Sequence, residues 1–516
     1  MQETSILWAD DEIDLLKPHI LFLRDKGYTV TTFNNGNDAI DAIRKDHFDL
    51  IFLDENMPGL TGLETLNEIK NFNSGLPVVM ITKSEEEYLM EDAIGAKIDD
   101  YLIKPVRPQQ MLLTIKKIID NKRLVSEKTT SAYQQEFRNL AMALNDNLNF
   151  SEWAEIYKKL IYWELNLEQL EDVGMHEILK QQKSEANTQF GKFIERNYVS
   201  WMKNPETAPV LSHNLFRKKI LPEIKNDVPT FFILIDNLRY DQWKVIHPIM
   251  NEYFRLEKED WYYSILPTAT QYARNAIFSG LTPLEMEKRF PKLWQNDEDE
   301  GGKNLHEEEF LADQLQRLRR NLKFSYTKIT TNELGKSLSE NVSRLMGNEL
   351  NVVVYNFVDM LSHARTEMEM IRELAGDEAA YRSLTLSWFE HSPLLDFIKK
   401  ISQKNVRMII TTDHGTIRVK TPSKVIGDRN TNTNLRYKQG KNLNFEARDV
   451  FAVRNPYDIN LPRLHMSSAY IFAREDSYFI YPNNYNHFVH YFDSTFQHGG
   501  ISPEEMIIPY AVYTSK

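Results

Sequence analysis

The run Val406-Arg407-Met408-Ile409-Ile410 followed by Thr411-Thr412-Asp413-His414-Gly415 joins an apolar stretch to a polar, ligand-rich end. Residues 406–410 read as a short buried strand. Open α/β sheets bind ligands where a parallel strand runs out into a loop. Asp supplies a hard anionic oxygen and His a neutral nitrogen, a pair that suits zinc or a similar divalent ion. An Asp-His dipeptide is also an ordinary turn with a capping Asp. The reading therefore depends on whether other strands end the same way.

Working outward, they do. An apolar strand at 230–235 ends at Asp236. A strand at 261–266 leads to Pro267-Thr268-Ala269-Thr270 and a helix toward Ser279. A strand at 351–357 ends at Asp359, with His363 four residues on. Late in the chain, His498-Gly499-Gly500 precedes a last strand at 506–513. Each element alone has an ordinary explanation: a turn cap, a helix cap, an i,i+4 surface pair or a loop histidine. Their recurrence at successive strand ends points to a divalent-metal site on one edge of an α/β sheet.

The order Asp236, Thr270, Asp359 with His363, Asp413-His414, His498 resembles the alkaline phosphatase superfamily. Pro-Thr-Ala-Thr-Gln-Tyr, with Arg274-Asn275 and the late His-Gly-Gly, resembles its PglZ branch. The resemblance implies two zinc ions, one on Asp236, Asp413, His414 and the Thr270 oxygen, the other on Asp359, His363 and His498. Two such ions about 4 Å apart clamp the attacking and leaving oxygens of an in-line displacement, and one activates the Thr270 hydroxyl. Thr270 rather than Thr268 is expected as nucleophile, because the second Thr of Pro-Thr-x-Thr has that role in related phosphodiesterases.

Residues 1–120 alternate five apolar strands, at 5–9, 29–33, 50–53, 77–81 and 98–102, with helical stretches. This predicts a doubly wound parallel sheet with helices on both faces. Asp10, Asp11, Asp54, Thr82 and Lys104 then fall on one edge. Three carboxylates suit Mg2+, Asp54 becomes a phosphoryl acceptor, and Lys104 offers a compact charge to the phosphoryl oxygens. The stretch resembles the receiver domain of response regulators, on the acidic pair, Asp54-Glu55-Asn56-Met57-Pro58, Gly62, Thr82, Tyr101 and Lys104-Pro105. The resemblance implies that Asn56 ligates Mg2+ through its carbonyl and that Thr82 and Tyr101 respond to phosphorylation.

Residues 121–228 form a helical connector. Trp153, Ile156, Tyr157, Leu160, Ile161, Trp163, Leu167 and Leu170 recur at mostly three and four residues, with Ser151 as an N-cap. Phe137, Leu140, Ala141 and Leu144 give a second helix and 178–201 a third. The aromatic stripe reads as packing between helices, with a dimer surface or a relay of the receiver's state as alternatives. No basic recognition helix is visible, so no direct DNA binding is expected.

The chain of 516 residues suits roughly three domains: 1–120, 121–228 and 229–516. Its net charge of −12 argues against coating duplex DNA. Without cysteine, a transition metal must be held by His and carboxylate. No signal peptide or membrane span is read, which makes the cytoplasm the expected location. Eight basic residues between 416 and 448, Arg436 and Lys438 among them, suggest a loop over the site that meets phosphate, with Tyr437 stacking on a base. Arg274 and Asn275 are further candidate substrate contacts. The acidic residues at 297–300 and 307–309 read as an exposed insertion.

As a whole the chain resembles PorX-type response regulators of the type 9 secretion system. This implies a phosphorylation-controlled, zinc-dependent phosphodiesterase acting on small or cyclic nucleotides and a phosphorylation-dependent homodimer. The implied partners are a sensor histidine kinase, an extracytoplasmic-function sigma factor and a secretion-motor protein. The alternative is a zinc-stabilised, non-catalytic docking protein for the same partners.

Overall fold

The computed structural model describes residues 4–73, 75–83, 98–168, 173–225, 227–297, 299, 301–368, 373, 376–428 and 431–516, without the side chains of 120–128, 173, 363–365 and 367. The chain divides into two compact units, Met1–Gln135 and Glu136–Lys516. No helix among the described residues is long and apolar enough to cross a membrane.

In the first unit, strands β1 (Ser5–Ala9), β2 (Thr29–Phe33), β3 (Leu50–Asp54), β4 (Val78–Thr82) and β5 (Asp100–Ile103) form a parallel sheet in the order β2-β1-β3-β4-β5. Alternate residues serve opposite faces. Leu7, Ala9, Ile51 and Leu53 pack with Ala39, Ile40, Leu66 and Ile69 of the helices Gly36–Ile43 and Gly62–Phe72. Ile6, Trp8, Leu50 and Phe52 pack with Ile20, Leu23, Met111 and Ile115 of Lys17–Asp25 and Pro108–Ile115. The expected strands at 50–53, 77–81 and 98–102 lie one or two residues later at one end or both. Asp54 and Thr82 are themselves paired in the ladder, opposite Ile81 and Ile103. The reversal of strand order between β1 and β3 is the switch point at which ligands bind in this architecture.

The second unit opens with helices. Asn149, not Ser151, caps the helix Phe150–Leu167. Its Oδ1 accepts from Ser151 N at 2.8 Å and Glu152 N at 3.1 Å, while Glu152 accepts from Asn149 N at 2.7 Å, a capping box. The aromatic stripe is buried from Trp153 through Leu167; Leu170 lies outside the described residues. Trp153 packs on Phe190 and Phe193 of the helix Val173–Lys203, at ring separations of 5.4 and 5.9 Å. Trp201 meets Tyr263 at 5.5 Å, so the helices lie against the sheet that follows.

That sheet holds β6 (Thr230–Ile235), β7 (Phe254–Tyr263), β8 (Phe324–Ile329), β9 (Leu350–Tyr355), β10 (Arg407–Thr411) and the last strand Ile507–Ser515, in the order β7, last strand, β10, β6, β9, β8. β8, β9, β6 and β10 are mutually parallel. The last strand is antiparallel to both β10 and β7, so β7 runs with the parallel set. The carboxyl ends of β6, β7, β9 and β10 and the amino end of the last strand therefore share one edge.

Several boundaries differ from expectation. β7 ends at Tyr263 rather than 266, and β9 ends at Tyr355. Asp359 thus lies in the first turn of the helix Phe357–Glu367. β8, mostly half-buried at the sheet edge, shows too little apolar alternation to be read from sequence. The basic stretch 416–448 is not a loop: Ile417–Arg418, Thr421–Ile426, Tyr437–Lys441 and Asn444–Phe445 are strands paired in small sheets. Arg429 lies outside the described residues.

An ion network centred on the buried Arg382 ties the linker helices to the helices Glu378–Glu390 and Tyr240–Tyr253 that flank this sheet. Arg382 bonds Asp241 at 2.9 Å, Glu164 at 3.2 Å and Glu168 at 2.7 Å. Asp241 also keeps Arg239 at 2.5 Å, and Glu164 keeps Lys183 at 2.7 Å. Removing one partner of a buried charge network costs about 3–5 kcal/mol. Because two of the three carboxylates retain a cation, Arg382→Met is expected at the lower end, about 3 kcal/mol. Urea unfolding followed by tryptophan fluorescence checks this, since seven of the eight tryptophans lie in the second unit.

Candidate active site and phosphorylation site

Asp236 follows β6, and its N–H donates to Tyr355 O on β9 at 2.7 Å. The chain then turns at Asn237, whose φ is +64°. This turn aims the N–H groups of Asn237 and Leu238 at Asp413 Oδ1 (3.4 Å) and Thr412 Oγ1 (3.0 Å) on the neighbouring β10 loop. Asp236, Asp413 and His414 each offer a ligand atom within 4.8 Å of the others, and all three are buried. Gly415 is required at its place, because a Cβ there would fall 2.1 Å from Glu504 O.

His414 Nδ1 lies 3.1 Å from Gly415 O. A carbonyl can only accept, so the ring proton sits on Nδ1 and Nε2 is the basic nitrogen. Nε2 faces Thr270 Oγ1 at 3.0 Å, and that hydroxyl lies 3.4 Å from Asp236 Oδ1. Thr270 is the first residue of the helix Thr270–Ser279. Thr268 is engaged elsewhere: it donates to Gly500 O and accepts from Gly499 N, both at 3.0 Å. That contact fixes the late His-Gly-Gly turn. His498 Nδ1 meets Thr268 O at 3.1 Å, and its ring stacks on His414 at 4.3 Å.

Asp359 Oδ1 accepts from Asn237 Nδ2 at 3.3 Å, which ties the helix Phe357–Glu367 to the β6 turn. His363 lies four residues later in that helix; its side chain is outside the described ones. Six of the seven expected metal ligands thus have described side chains. Asp236, Asp413, His414 and Thr270 meet directly, while Asp359 and His498 join through Asn237 and His414.

The electrostatics fit a divalent cation. Burial, and then the neighbouring Asp236, push the Asp413 carboxyl well above the usual carboxylate range. Its Oδ2 is buried without a hydrogen-bond partner among the described residues. Burial also works against charge on Asp236, but Arg274 holds its carboxyl below the usual range. Burial lowers His414, keeping it neutral. An orphan carboxylate oxygen, a second carboxylate, a neutral imidazole nitrogen and a hydroxyl form a donor set that suits a divalent ion.

The candidate substrate contacts are placed differently from the sequence reading. Arg274 is 1% exposed and bonds Asp236 at 2.7 Å and Glu307 at 3.0 Å. Asn275 donates to Lys303 O and accepts from Asn304. Arg436 is fully buried and bonds Glu505 at 2.6 Å, so its charge serves the fold rather than a ligand. Lys438 is buried, donates to Asn432 O at 2.9 Å, and is lowered to about 7 by burial. Tyr437 is buried, with its hydroxyl 3.2 Å from Asp297, and does not present a face for base stacking. The expected exposed acidic insertion is corrected in part: Glu307 is buried and Asp297 half-buried, whereas Asp299, Glu308 and Glu309 are exposed, and Glu298 and Glu300 lie outside the described residues. Asn237, Thr412, Asn304 and Lys328 have no assigned role in the sequence reading, and Glu307 figures there only in the exposed acidic insertion. Only Asn237, directly after a strand-end Asp, carried a local signal.

In the first unit, Lys104 Nζ bonds both Asp10 and Asp54 at 2.8 Å. Asp10 and Asp54 are buried and Asp11 is exposed; together they form the second potential metal cluster. Asn56 N donates to Asp54 Oδ2 at 3.2 Å. Burial raises the Asp54 carboxyl, with Asp10 adding to it and Lys104 opposing. Gly62 lets its helix close on the site, since a Cβ would fall 2.5 Å from Asp54 O. Thr82 is buried at the end of β4, and Tyr101 on β5 is 41% exposed.

Comparison with known proteins matches each segment. Residues 6–116 match the response regulator receiver domain, 123–202 the PorX response regulator linker domain, and 215–513 the BREX system PglZ alkaline phosphatase-like domain. The chain is 33% identical over 136 residues to the transcriptional regulatory protein ZraR of Klebsiella oxytoca, covering 26% of this chain and 31% of that protein. It is 32% identical over 117 residues to ResD of Bacillus subtilis, covering 23% and 48%. The chain thus spans half or less of these relatives. Among solved structures, chemotaxis protein CheY4 of Vibrio cholerae is 27% identical, covers 22% of this chain and 98% of its own, and has a TM-score of 0.22. The receiver domain of NtrX from Brucella abortus is 32% identical, with coverage of 22% and 98% and a TM-score of 0.22. The receiver match supports a two-component regulator fed by a phosphodonor such as a histidine kinase. The chain belongs to the PglZ alkaline phosphatase-like family, with its PglZ domain preceded by a receiver and a PorX-type linker.

Proposed function

We propose that this chain is a response regulator whose phosphorylation at Asp54 controls a zinc-dependent phosphodiesterase with Thr270 as nucleophile. The observation that carries the reading is the Thr270 hydroxyl, held between His414 Nε2 and Asp236 Oδ1 at the amino end of a ten-residue helix. Helix amino termini favour anions, so the phosphoryl oxygens meet backbone N–H groups and the positive end of the helix dipole. A divalent ion on Asp236, Asp413, His414 and Thr270, with a second offered Asp359, His363 and His498, would polarise the phosphoryl group and lower the pKa of the Thr270 hydroxyl.

A phosphodiester is favoured over a dianionic monoester because Arg274, the arginine nearest the nucleophile in sequence, is committed to Asp236 and Glu307. The substrate class is a small or cyclic nucleotide, and the output is control of type 9 secretion. A sensor histidine kinase, an extracytoplasmic-function sigma factor and a secretion-motor protein are the partners. In the receiver, Asp54 takes the phosphoryl group; Asp10, Asp11, Asp54 and the Asn56 carbonyl would hold a Mg2+ ion that would neutralise its charge. Lys104 and Thr82 then bond the phosphoryl oxygens. Phosphorylation acts by stabilising one arrangement, a homodimer, more than the other.

Three outcomes follow from this reading. Acetyl phosphate with Mg2+ labels the protein, and Asp54→Asn abolishes the label; intact-mass spectrometry reads it, and equal labelling of the variant would remove the assignment. Zinc-loaded protein hydrolyses bis-p-nitrophenyl phosphate, and Thr270→Ala lowers kcat by about 1,000-fold or more, as loss of a nucleophile does. Equal background rates with zinc bound would instead assign the domain to docking. Beryllofluoride raises the fraction of dimer in light scattering at a fixed protein concentration, whereas a mass that ignores it counts against phosphorylation-driven dimerisation.

A further inference from the structure

Arg274 connects the candidate metal site to a polar ring that runs through the acidic segment. Its Nη1 bonds Asp236 Oδ2 at 2.7 Å and its Nε bonds Glu307 Oε1 at 3.0 Å. Lys328 Nζ bonds the same Glu307 oxygen at 3.2 Å and donates to Asn304 O at 2.8 Å. Asn304 Nδ2 in turn donates to Thr270 O at 3.1 Å and to Asn275 Oδ1 at 3.0 Å. Thr270 and Arg274 are i and i+4 on one helix, so they share a face and the ring closes on itself. Asp236, Arg274 and Glu307 are each no more than 2% exposed.

Three buried charges in series are costly to desolvate, and apolar side chains of similar volume would pack such a space at least as stably. What the ring achieves is placement. Asp236 is gripped by Oδ2, which leaves Oδ1 toward Thr270 and the ligand cluster. Glu307 has a second effect, because it lies against both cations beside that cluster. With Glu307 neutral, Arg274 would keep only Asp236 and Lys328 would lose its carboxylate, so their excess charge would oppose an incoming dication. Geometry and charge therefore act in the same direction.

We propose that Glu307 is a positioning residue that, through Arg274, orients Asp236 and sets the affinity of the site for a divalent metal. The proposal rests on the metal-site part of the reading above and not on turnover. Ligands that orient a metal-binding side chain from behind typically change metal affinity by about 10- to 100-fold.

The test is zinc competition against a chromophoric chelator with the full-length protein, alongside bis-p-nitrophenyl phosphate kinetics and circular dichroism. Glu307→Gln is expected to weaken zinc by about 10- to 100-fold and to lower kcat at sub-saturating zinc with KM unchanged. Adding Lys328→Met to that variant removes the uncompensated cation and should restore part of the affinity, which a merely structural role would not do. Glu307→Asp, which keeps the charge and withdraws the oxygen, should fall between and serves if Glu307→Gln does not fold. Unchanged zinc affinity in the folded variants, or wild-type protein that binds no zinc, overturns the proposal. A raised KM with intact zinc affinity also overturns it, by placing Arg274 on the substrate. Wild-type protein that shows the zinc shift but no hydrolysis sinks the phosphodiesterase reading and leaves this one standing.

Discussion

The PglZ-like unit depends on the burial of two carboxylates side by side. Asp236 and Asp413 leave adjacent parallel strands with their ligand atoms within 4.8 Å and almost no exposure. Two like charges in a poorly solvated space raise each other's pKa unless cations compensate. Arg274 compensates one of them, which is why the shifts diverge: Asp236 is held down while Asp413 is pushed up. The residual demand falls at Asp413 Oδ2, which has no hydrogen-bond partner among the described residues. The other nearby features gather around this carboxylate pair: the turn at Asn237, whose N–H bonds Asp413 Oδ1, the tautomer of His414 fixed by Gly415 O, and the Thr270 hydroxyl beside Asp236 Oδ1.

The receiver handles a similar problem with a lysine. Lys104 reaches Asp10 and Asp54 equally, at 2.8 Å, and both partners raise its pKa against the effect of burial. Such a lysine is a compact, mobile charge that can follow a phosphoryl group once one is attached. Arg274 is different: its planar guanidinium is bonded on two sides inside the protein, a geometry suited to holding a ligand still. The choice of cation thus separates a site that must change state from one that must keep its shape.

What sequence revealed was whatever depends on strand ends. Asp54 and Asp236, and the pair Asp413-His414, each end or follow an apolar run, so their convergence could be read from the rule that open α/β sheets bind at one edge. The Thr268–Thr270 choice was argued by resemblance, and the structure adds a physical ground: Thr268 is spent on the Gly499-Gly500 turn. What was illegible depends on side chains meeting across long separations. Arg436 and Lys438 look like ligand-binding charges in a basic stretch until Glu505 and Asn432 are seen to take them. Asp297 and Glu307 sit in acidic runs whose average says "exposed", yet Asn432 and Tyr437 hold the first half-buried and Arg274 and Lys328 draw the second inside. Local composition cannot report such pairing.

The helical linker follows the same logic on a larger scale. Its aromatic stripe would be an open hydrophobic face on an isolated helix, but here it is closed by Phe190, Phe193 and the sheet residue Tyr263. Glu164, Glu168 and Lys183 then lock it to Arg382 and, through that side chain, to Asp241. Asp241 pairs with Arg239, only three residues beyond Asp236. A displacement of the linker helices would take Glu164 and Glu168 away from the buried Arg382, and the next charge along is Arg239, at the end of the loop that follows β6. The linker is therefore packed and ion-paired into the second unit rather than joined to it by a flexible tether.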